Sequence, residues 1–172
     1  MIISLIAVLS ENRVIGNNNR IPWHIKDDLL HFKYLTLHHT VIMGRTTFDS
    51  ILDYYKKSGK PIPERRHIII SRDTTYTTEV SDCFIVHSIE DALKVGIEKE
   101  KAAQGGEVFV SGGASIFKQA ISKANRLHLT LVHAQFEGDT YFPDYSEFTK
   151  IIGKEDKKTK DGLAYTFLDL ER

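Results

Sequence analysis

The run Thr40-Val41-Ile42-Met43-Gly44-Arg45-Thr46-Thr47-Phe48 decides the fold. Its first residues are apolar or β-branched with no polar alternation, the pattern of a strand covered on both faces. Gly44 then hands the chain directly to a helical segment, Arg45 to Lys57. The same strand pattern recurs at Ile2 to Leu9, His67 to Ser71, Cys83 to Val86 and Glu107 to Val110, all rich in Val, Ile and Phe. Helical segments lie between these runs. Ile25, Leu29, Phe32 and Leu35 or Thr36 recur at steps of three and four and mark one helix face. Ser88 to Glu100 opens with Ser88 and Asp91 at capping-box spacing, and Ala114 to Ala120 is a short fourth helix.

The last third of the chain changes character. Leu127, Leu129 and Leu131 alternate with His128, Thr130 and Val132, so the strand from Arg126 has two distinct faces. Asp161-Gly162 is a turn signal between strand candidates Phe148 to Glu155 and Leu163 to Leu170. The expected architecture is α/β, a βαβ series finished by an antiparallel hairpin at one edge. Thr74 to Thr78 and Ala102 to Gly106 read as surface loops, and Ser10 to His24 as a loop too polar for regular structure.

Composition narrows the function. A chain of 172 residues fits one domain, here residues 1–172, with enough surface to bury for a core without staples. The 23 basic and 23 acidic residues balance, which argues against a general nucleic-acid or anionic-membrane surface. Cys83 alone cannot form an internal disulfide. Met1 to Leu9 is apolar but lacks basic residues before it and is too short to span a bilayer, so it reads as a buried strand of a cytoplasmic protein.

The common chemical motifs are missing. There is no G-x-x-x-x-G-K-[ST] loop, no G-x-G-x-x-G after a strand and no G-x-S-x-G elbow. The eight histidines show no metal-ligand spacing, so no metal site is expected. Four features remain. Gly112-Gly113 separates a strand from a helix, where backbone N–H groups can meet a phosphate, although the same pair also suits a plain tight turn. Gly44-Arg45-Thr46-Thr47 and Ser71-Arg72 end neighbouring strands, where ligands of open α/β sheets gather. Asp28 sits beside an apolar helix face, where a carboxylate can hold a cationic or amidine-like ligand, or simply complements the helix dipole together with Asp27. The Ser10 to His24 loop is either a lid or an exposed connection.

Taken in order, these pieces resemble the dihydrofolate reductase family. The resemblance rests on Ile3-Ser4-Leu5-Ile6-Ala7, Val14-Ile15-Gly16, Ile21-Pro22-Trp23, Asp28-Leu29, Phe32-Lys33, Val41 to Phe48, Pro61-Ile62-Pro63 with Arg65, Gly112-Gly113-Ala114 and Gly138 to Pro143. It runs from the first strand to the last hairpin. It implies a mostly parallel sheet of about eight strands flanked by four helices with a C-terminal antiparallel hairpin, in an enzyme moving hydride from NADPH to the pterin ring of dihydrofolate. Under it, Asp28 binds the pterin and supports ring protonation, Thr130 hydrogen-bonds Asp28, and Trp23 helps hold a water. Ile6, Ala7, Leu29, Phe32, Ile51, Ile62 and Ser111 complete the substrate side, with Arg65 pairing the glutamate α-carboxylate. Ala7 and Ile15 fall near the nicotinamide, and Gly16, Asn19, Ile21 and Ser111 also bind the cofactor. Arg45 and Arg72 take the 2′-phosphate, while Gly44, Thr46, Thr47, Ser71, Gly112, Gly113, Ala114, Ser115 and Ile116 line the rest of the cofactor. The resemblance also implies a cis peptide at Gly112-Gly113, a lid at Asn17 to Asn19 supported from Asp139, and inhibition by antifolates such as methotrexate or trimethoprim. A monomer is expected.

Two departures stand out. Ser111 replaces a usually apolar residue, and Leu52 to Lys60 makes a longer connection before Pro61 than compact bacterial members have. A related NADPH-dependent pyrimidine reductase of riboflavin synthesis is the enzyme alternative, disfavoured by Asp28, Trp23 and Arg65. A non-catalytic NADPH- or RNA-binding module is the other, disfavoured by the neutral charge.

Overall fold

A computed structural model describes all residues, Met1–Arg172. The strands are β1 (Ile2–Ser10), β2 (Val14–Gly16), β3 (Thr40–Gly44), β4 (Arg66–Ile70), β5 (Cys83–Val86), β6 (Glu107–Val110), β7 (Arg126–Val132), β8 (Thr140–Tyr141), β9 (Lys150–Lys158) and β10 (Ala164–Glu171). The helices are α1 (Lys26–Thr36), α2 (Arg45–Ser58), α3 (Ile89–Ala102) and α4 (Ala114–Ala120). Eight strands form one sheet in the order β5-β4-β3-β6-β1-β7-β10-β9. From β5 to β7 the pairing is parallel, and β10 runs antiparallel to both β7 and β9. The expected α/β sheet with its C-terminal hairpin is therefore present. No helix is long and apolar enough to cross a membrane.

Strand alternation sorts the core onto two faces. Leu5, Leu9, Ile42, Ile68, Leu127 and Leu129 pack against Ile89, Ala92 and Leu93 of α3 and Ile116, Phe117 and Ala120 of α4. Their neighbours Ile6, Val41, Met43, Ile69 and Phe109 pack on the other side with Phe48 of α2, joined by Phe32 and Leu35 of α1. Burying such a side chain contributes roughly 1.5–3 kcal/mol. The α3 cap behaves as its spacing predicts, with Ser88 Oγ accepting the Asp91 N–H at 3.1 Å.

Three expectations are corrected. Leu29 shares the apolar face of α1 with Ile25 and Phe32, yet it does not pack on the sheet with them; it is 41% exposed and faces a cleft. The Ser10 to His24 loop contains β2, which pairs with β8. Its partner lies more than a hundred residues on, so local composition carries no trace of the pairing. The last two strands begin and end slightly later than their apolar runs, because Phe148 belongs to the core beside β9 rather than to its ladder.

Buried charge is compensated. Glu100, fully buried on α3, accepts from the Thr40 N–H at 2.8 Å and from Arg66 Nη2 at 2.9 Å, and contacts His39 Nδ1 at 2.6 Å. This carboxylate ties α3 to the starts of β3 and β4. His128 lies between Asp169 Oδ1 at 2.6 Å and Glu107 Oε1 at 2.9 Å. Burial disfavours its charge, but the hydrogen bonds to the two carboxylates outweigh it and hold its pKa up at about 9. His67 is the opposite case. Only 1% exposed, packed on Phe48, and with neither ring nitrogen partnered, it is pushed down to about 4 by burial and then by Arg65.

These two histidines bend the stability curve in opposite directions. Below pH 6.5 the unfolded chain protonates His67 while the folded chain resists until about 4, so stability falls across that window, by about 2–3 kcal/mol from this group at its lower end. His128 contributes most below pH 6.5, and its contribution is lost as pH rises through about 9. Urea melts of His67→Phe are expected to show a shallower loss between pH 6.5 and 4 than the unaltered chain. An unchanged slope would remove His67 from the account.

Candidate active site

The carboxyl ends of the central strands build the site. Gly44, closing β3, donates its N–H to the Gly112 carbonyl at 2.8 Å, and Ser111 donates its N–H to the Ile42 carbonyl at 2.9 Å. The peptide joining Gly112 and Gly113 is cis, as the resemblance implies. A Cβ on Gly113 would stand 3.3 Å from Thr47 Oγ1, and one on Gly44 would stand 3.4 Å from Ile116. Gly44, Thr47, Gly112, Gly113 and Ile116 thus converge at one closely packed place. Free N–H groups open α4 there, since its N-cap Gly113 has no capping side chain. Ser111 adds a buried hydroxyl without a protein partner.

The neighbouring arginine geometry is less open than expected. Arg45 Nη1 donates to Asp73 Oδ2 at 3.1 Å, and its guanidinium lies 5.6 Å from the Tyr76 ring centroid. Asp73 is fixed in turn by Thr75, whose hydroxyl and N–H hold its carboxyl below the usual range. Arg72, just before Asp73 in the segment that follows β4, is exposed, and Ser71 is buried with its hydroxyl turned to Asp73. Thr46 and Ser115 are exposed, and Ser115 Oγ accepts from Gln119.

A cleft of about 330 Å³ opens between α1 and α2 and is lined by Val8, Arg20, Ile21, Trp23, His24, Ile25, Asp28, Leu29 and Tyr54. Asp28 is its one carboxylate. Burial raises the Asp28 pKa, and the Thr130 hydroxyl pulls it partly back. Asp27, one residue earlier, turns away and accepts from the Tyr165 hydroxyl at 2.9 Å, so the two first-turn acids have separate tasks. Trp23 packs edge-on against Phe136 with centroids 4.8 Å apart, and its buried Nε1 has no protein acceptor. Arg20 and His24 also line the cleft, so Asp28 is not its sole ionisable group.

Phe32, Ile51 and Ile6 belong to the core patch beside this cleft. Arg65 is only 5% exposed, lies 4.7 Å over the Phe32 ring, and leaves Nε and Nη2 without protein partners. Ile62 does not join Asp28; it lines, with Arg65, His67 and Asp82, a more polar cavity of about 460 Å³. Ala7 and Ile15 pack at the margin of the larger core.

The lid segment is a small hairpin. Asn17 and Arg20 exchange backbone hydrogen bonds at 2.8 and 3.0 Å, and Asn18 and Asn19 between them both have positive φ, which asparagine tolerates. Asp139 Oδ2 accepts the Asn18 N–H at 3.0 Å, and its N–H donates to the Gly16 carbonyl at 3.2 Å. Thr140 and then Asn18 hold the Asp139 carboxyl below its usual range. Residue reading did not single out Val8, Arg20, His24, Ile25 or Tyr54. For Tyr54 the available signal was helical spacing from Ile51, three residues earlier.

A cleft holding a raised carboxylate, together with a glycine turn at the carboxyl ends of the central strands, is the equipment of a ligand-binding α/β enzyme. Comparison with known proteins makes this specific. The dihydrofolate reductase family description matches residues 2–172. Dihydrofolate reductase from Staphylococcus aureus (strain Mu50 / ATCC 700699) is 36% identical over 177 residues, covering 100% of this chain and 99% of the relative. That of Bacillus subtilis (strain 168) is 36% identical over 173 residues, covering 99% and 94%. A solved dihydrofolate reductase from Enterococcus faecalis, complexed with NADP(H) and RAB-propyl, aligns with a TM-score of 0.78 at 27% identity, covering 99% of this chain and 96% of that one. The chain belongs to the dihydrofolate reductase family, and with it to the NADPH-dependent oxidoreductases.

The glycine cradle makes a direct prediction. Gly112 has φ +110, and a Cβ there would stand 3.0 Å from the Phe117 ring. Gly162 has φ +91 with nothing within 4 Å. Alanine at Gly162 therefore bears backbone strain alone, about 1 kcal/mol or somewhat more, while alanine at Gly112 adds a clash and should cost visibly more in urea melts. Equal losses would mean that Phe117 yields freely.

Proposed function

We propose that this chain reduces 7,8-dihydrofolate to tetrahydrofolate with NADPH, as a monomeric single domain working in the cytoplasm. The observation that carries the reading is the raised carboxyl of Asp28 in a cleft that also holds Trp23 and Leu29. When bound, NADPH supplies the hydride, so the protein's task is to orient two ring systems and exclude water.

The residues suit that task. Gly44, Thr47, Gly112, Gly113 and Ile116 offer a close backbone approach for the diphosphate, with Thr46, Ser71, Ala114 and Ser115 around it. Arg45 and Arg72 face the 2′-phosphate. Ala7, Ile15, Gly16, Asn19, Ile21 and Ser111 border the nicotinamide. On the substrate side Asp28 holds the pterin edge, Thr130 steadies Asp28, and Trp23 directs its indole N–H toward a water there. Ile6, Leu29, Phe32, Ile51 and Ile62 flank the rings, and the unpaired Nε and Nη2 of Arg65 suit a carboxylate. A cationic ring forms as the pterin takes up a proton. Asp28 favours that state over the neutral one, which is differential stabilisation. Methotrexate and trimethoprim present similar amidine-like edges and are expected inhibitors.

Absorbance-followed NADPH consumption with dihydrofolate, with and without methotrexate, tests the reaction. Asp28→Asn should keep the fold and NADPH affinity while turnover at neutral pH drops by about 100-fold or more. Turnover within a few-fold of the unaltered enzyme would end the proposed role. Asp73→Asn should tighten NADPH about 2–5-fold by releasing Arg45 from its carboxylate, the scale of an exposed ion pair. An unchanged dissociation constant would mean that Arg45 does not meet the phosphate.

A further inference from the structure

The connection from Leu52 to Lys60 folds as an extension of α2. The helix continues to Ser58 and stops at Gly59, whose φ of +65 suits a left-handed cap and whose N–H donates to the Lys56 carbonyl at 3.4 Å. Ile51, Tyr54, Tyr55 and Ser58 fall at helical spacing on one side. Ile51 still packs on the core patch of Ile6, Met43 and Phe48, but one turn later the helix has passed its edge. Tyr54 there is 52% exposed and lines the same cleft as Asp28 and Leu29.

Two features hold Tyr54 in place. Its ring meets that of Tyr55 edge-on, with centroids 5.3 Å apart and planes at 86°. Tyr55 is half-buried, and its hydroxyl is near enough to the Arg65 guanidinium to support its charge against desolvation. The tyrosine pair thus runs from the cleft of Asp28 to the Arg65 guanidinium. Ile21 at 53% exposure and Leu29 at 41% stand on the same cleft, so three open apolar side chains ring one cavity. A flat apolar body between them would remove all three from water.

We infer that Tyr54 is a specificity-determining contact of this enzyme, a wall against which the aromatic middle of a long substrate packs while its two polar ends reach Asp28 and Arg65. The inference rests on the dihydrofolate reading of the cleft. A ligand confined to the Asp28 end does not reach the wall, so Tyr54 selects for the tail rather than for the pterin. Tyr55 is a positioning residue, acting through Tyr54 and Arg65.

Trp23 is the only tryptophan and lines this cleft, so its fluorescence reports binding without turnover. Dihydrofolate and a 7,8-dihydropterin bearing only a methyl group in place of the tail are titrated into the unaltered chain, Tyr54→Ala and Tyr54→Phe. Alanine should weaken dihydrofolate about tenfold, the scale of one lost aromatic contact. The tail-less pterin should change less than about twofold, and phenylalanine should restore dihydrofolate binding, since the ring and not the hydroxyl forms the wall. Unchanged dihydrofolate affinity in Tyr54→Ala, or equal weakening of both ligands, overturns the inference. Failure of the unaltered chain to bind dihydrofolate sinks the underlying reading instead, a result visible before any variant is made.

Discussion

One backbone hydrogen bond organises the working end of the molecule. Gly44 at the end of β3 donates to the Gly112 carbonyl after β6, joining two strands just where their regular ladder stops. The strand ends meet within hydrogen-bonding distance, and α4 begins at once behind Gly113. Every candidate cofactor contact on this side inherits its position from that closure. Thr47 leads α2 from one partner, Ile116 sits in α4 from the other, and Ser111 is trapped between them with a hydroxyl that no protein atom satisfies. A side chain on Gly112 would press on the Phe117 ring of α4, while one on Gly44 would touch Ile116.

Charge is handled differently at the two ends of the sheet. Near the strand starts, Glu100 and His128 are buried with full complements of opposite charge, and Ser4 adds its hydroxyl to Glu107. These groups fix register and helix placement, since removing one partner would strand the other in a poorly polar interior. In the cleft the arrangement is reversed. Asp28 meets only Thr130 and Trp23 has no acceptor, while in the neighbouring polar cavity Arg65 keeps two donors free. Unsatisfied groups at such a place are stable only because packing elsewhere holds them, and they are where a polar ligand finds partners already aimed.

Much of the scaffold could be read locally. The strand over Thr40 to Gly44, the cap at Ser88 and the two faces of β7 all depend on neighbours a few residues away, and they appear as the apolar pattern predicts. What escaped local reading depends on distant partners. Spacing puts Leu29 on the apolar face of α1, but whether such a side chain meets the sheet or a cleft depends on where α1 leaves the sheet. The pairing of β2 with β8, and the grip of Asp139 on Asn18, join segments separated by 121 residues or more. Within the site, Asp28, Trp23, Leu29 and Ile21 do share a cleft, while Ile62 falls into the cavity beyond Arg65 and Arg45 is met first by Asp73. A carboxylate three residues past the end of β4 is ordinary loop composition, so nothing in the linear pattern marks it as Arg45's partner.

The strand order also sets a schedule for synthesis. β1 emerges first from a ribosome, yet its neighbours in the finished sheet are β6 and β7. The most apolar segment of the chain must therefore wait, through the making of α1, α2 and α3, for the two strands that will flank it. Until residue 132 is available the middle of the sheet has no complete set of neighbours. A nascent chain of this design carries an apolar, unpaired β1 until β6 and β7 are made, and a pause in translation before them would hold it in that state.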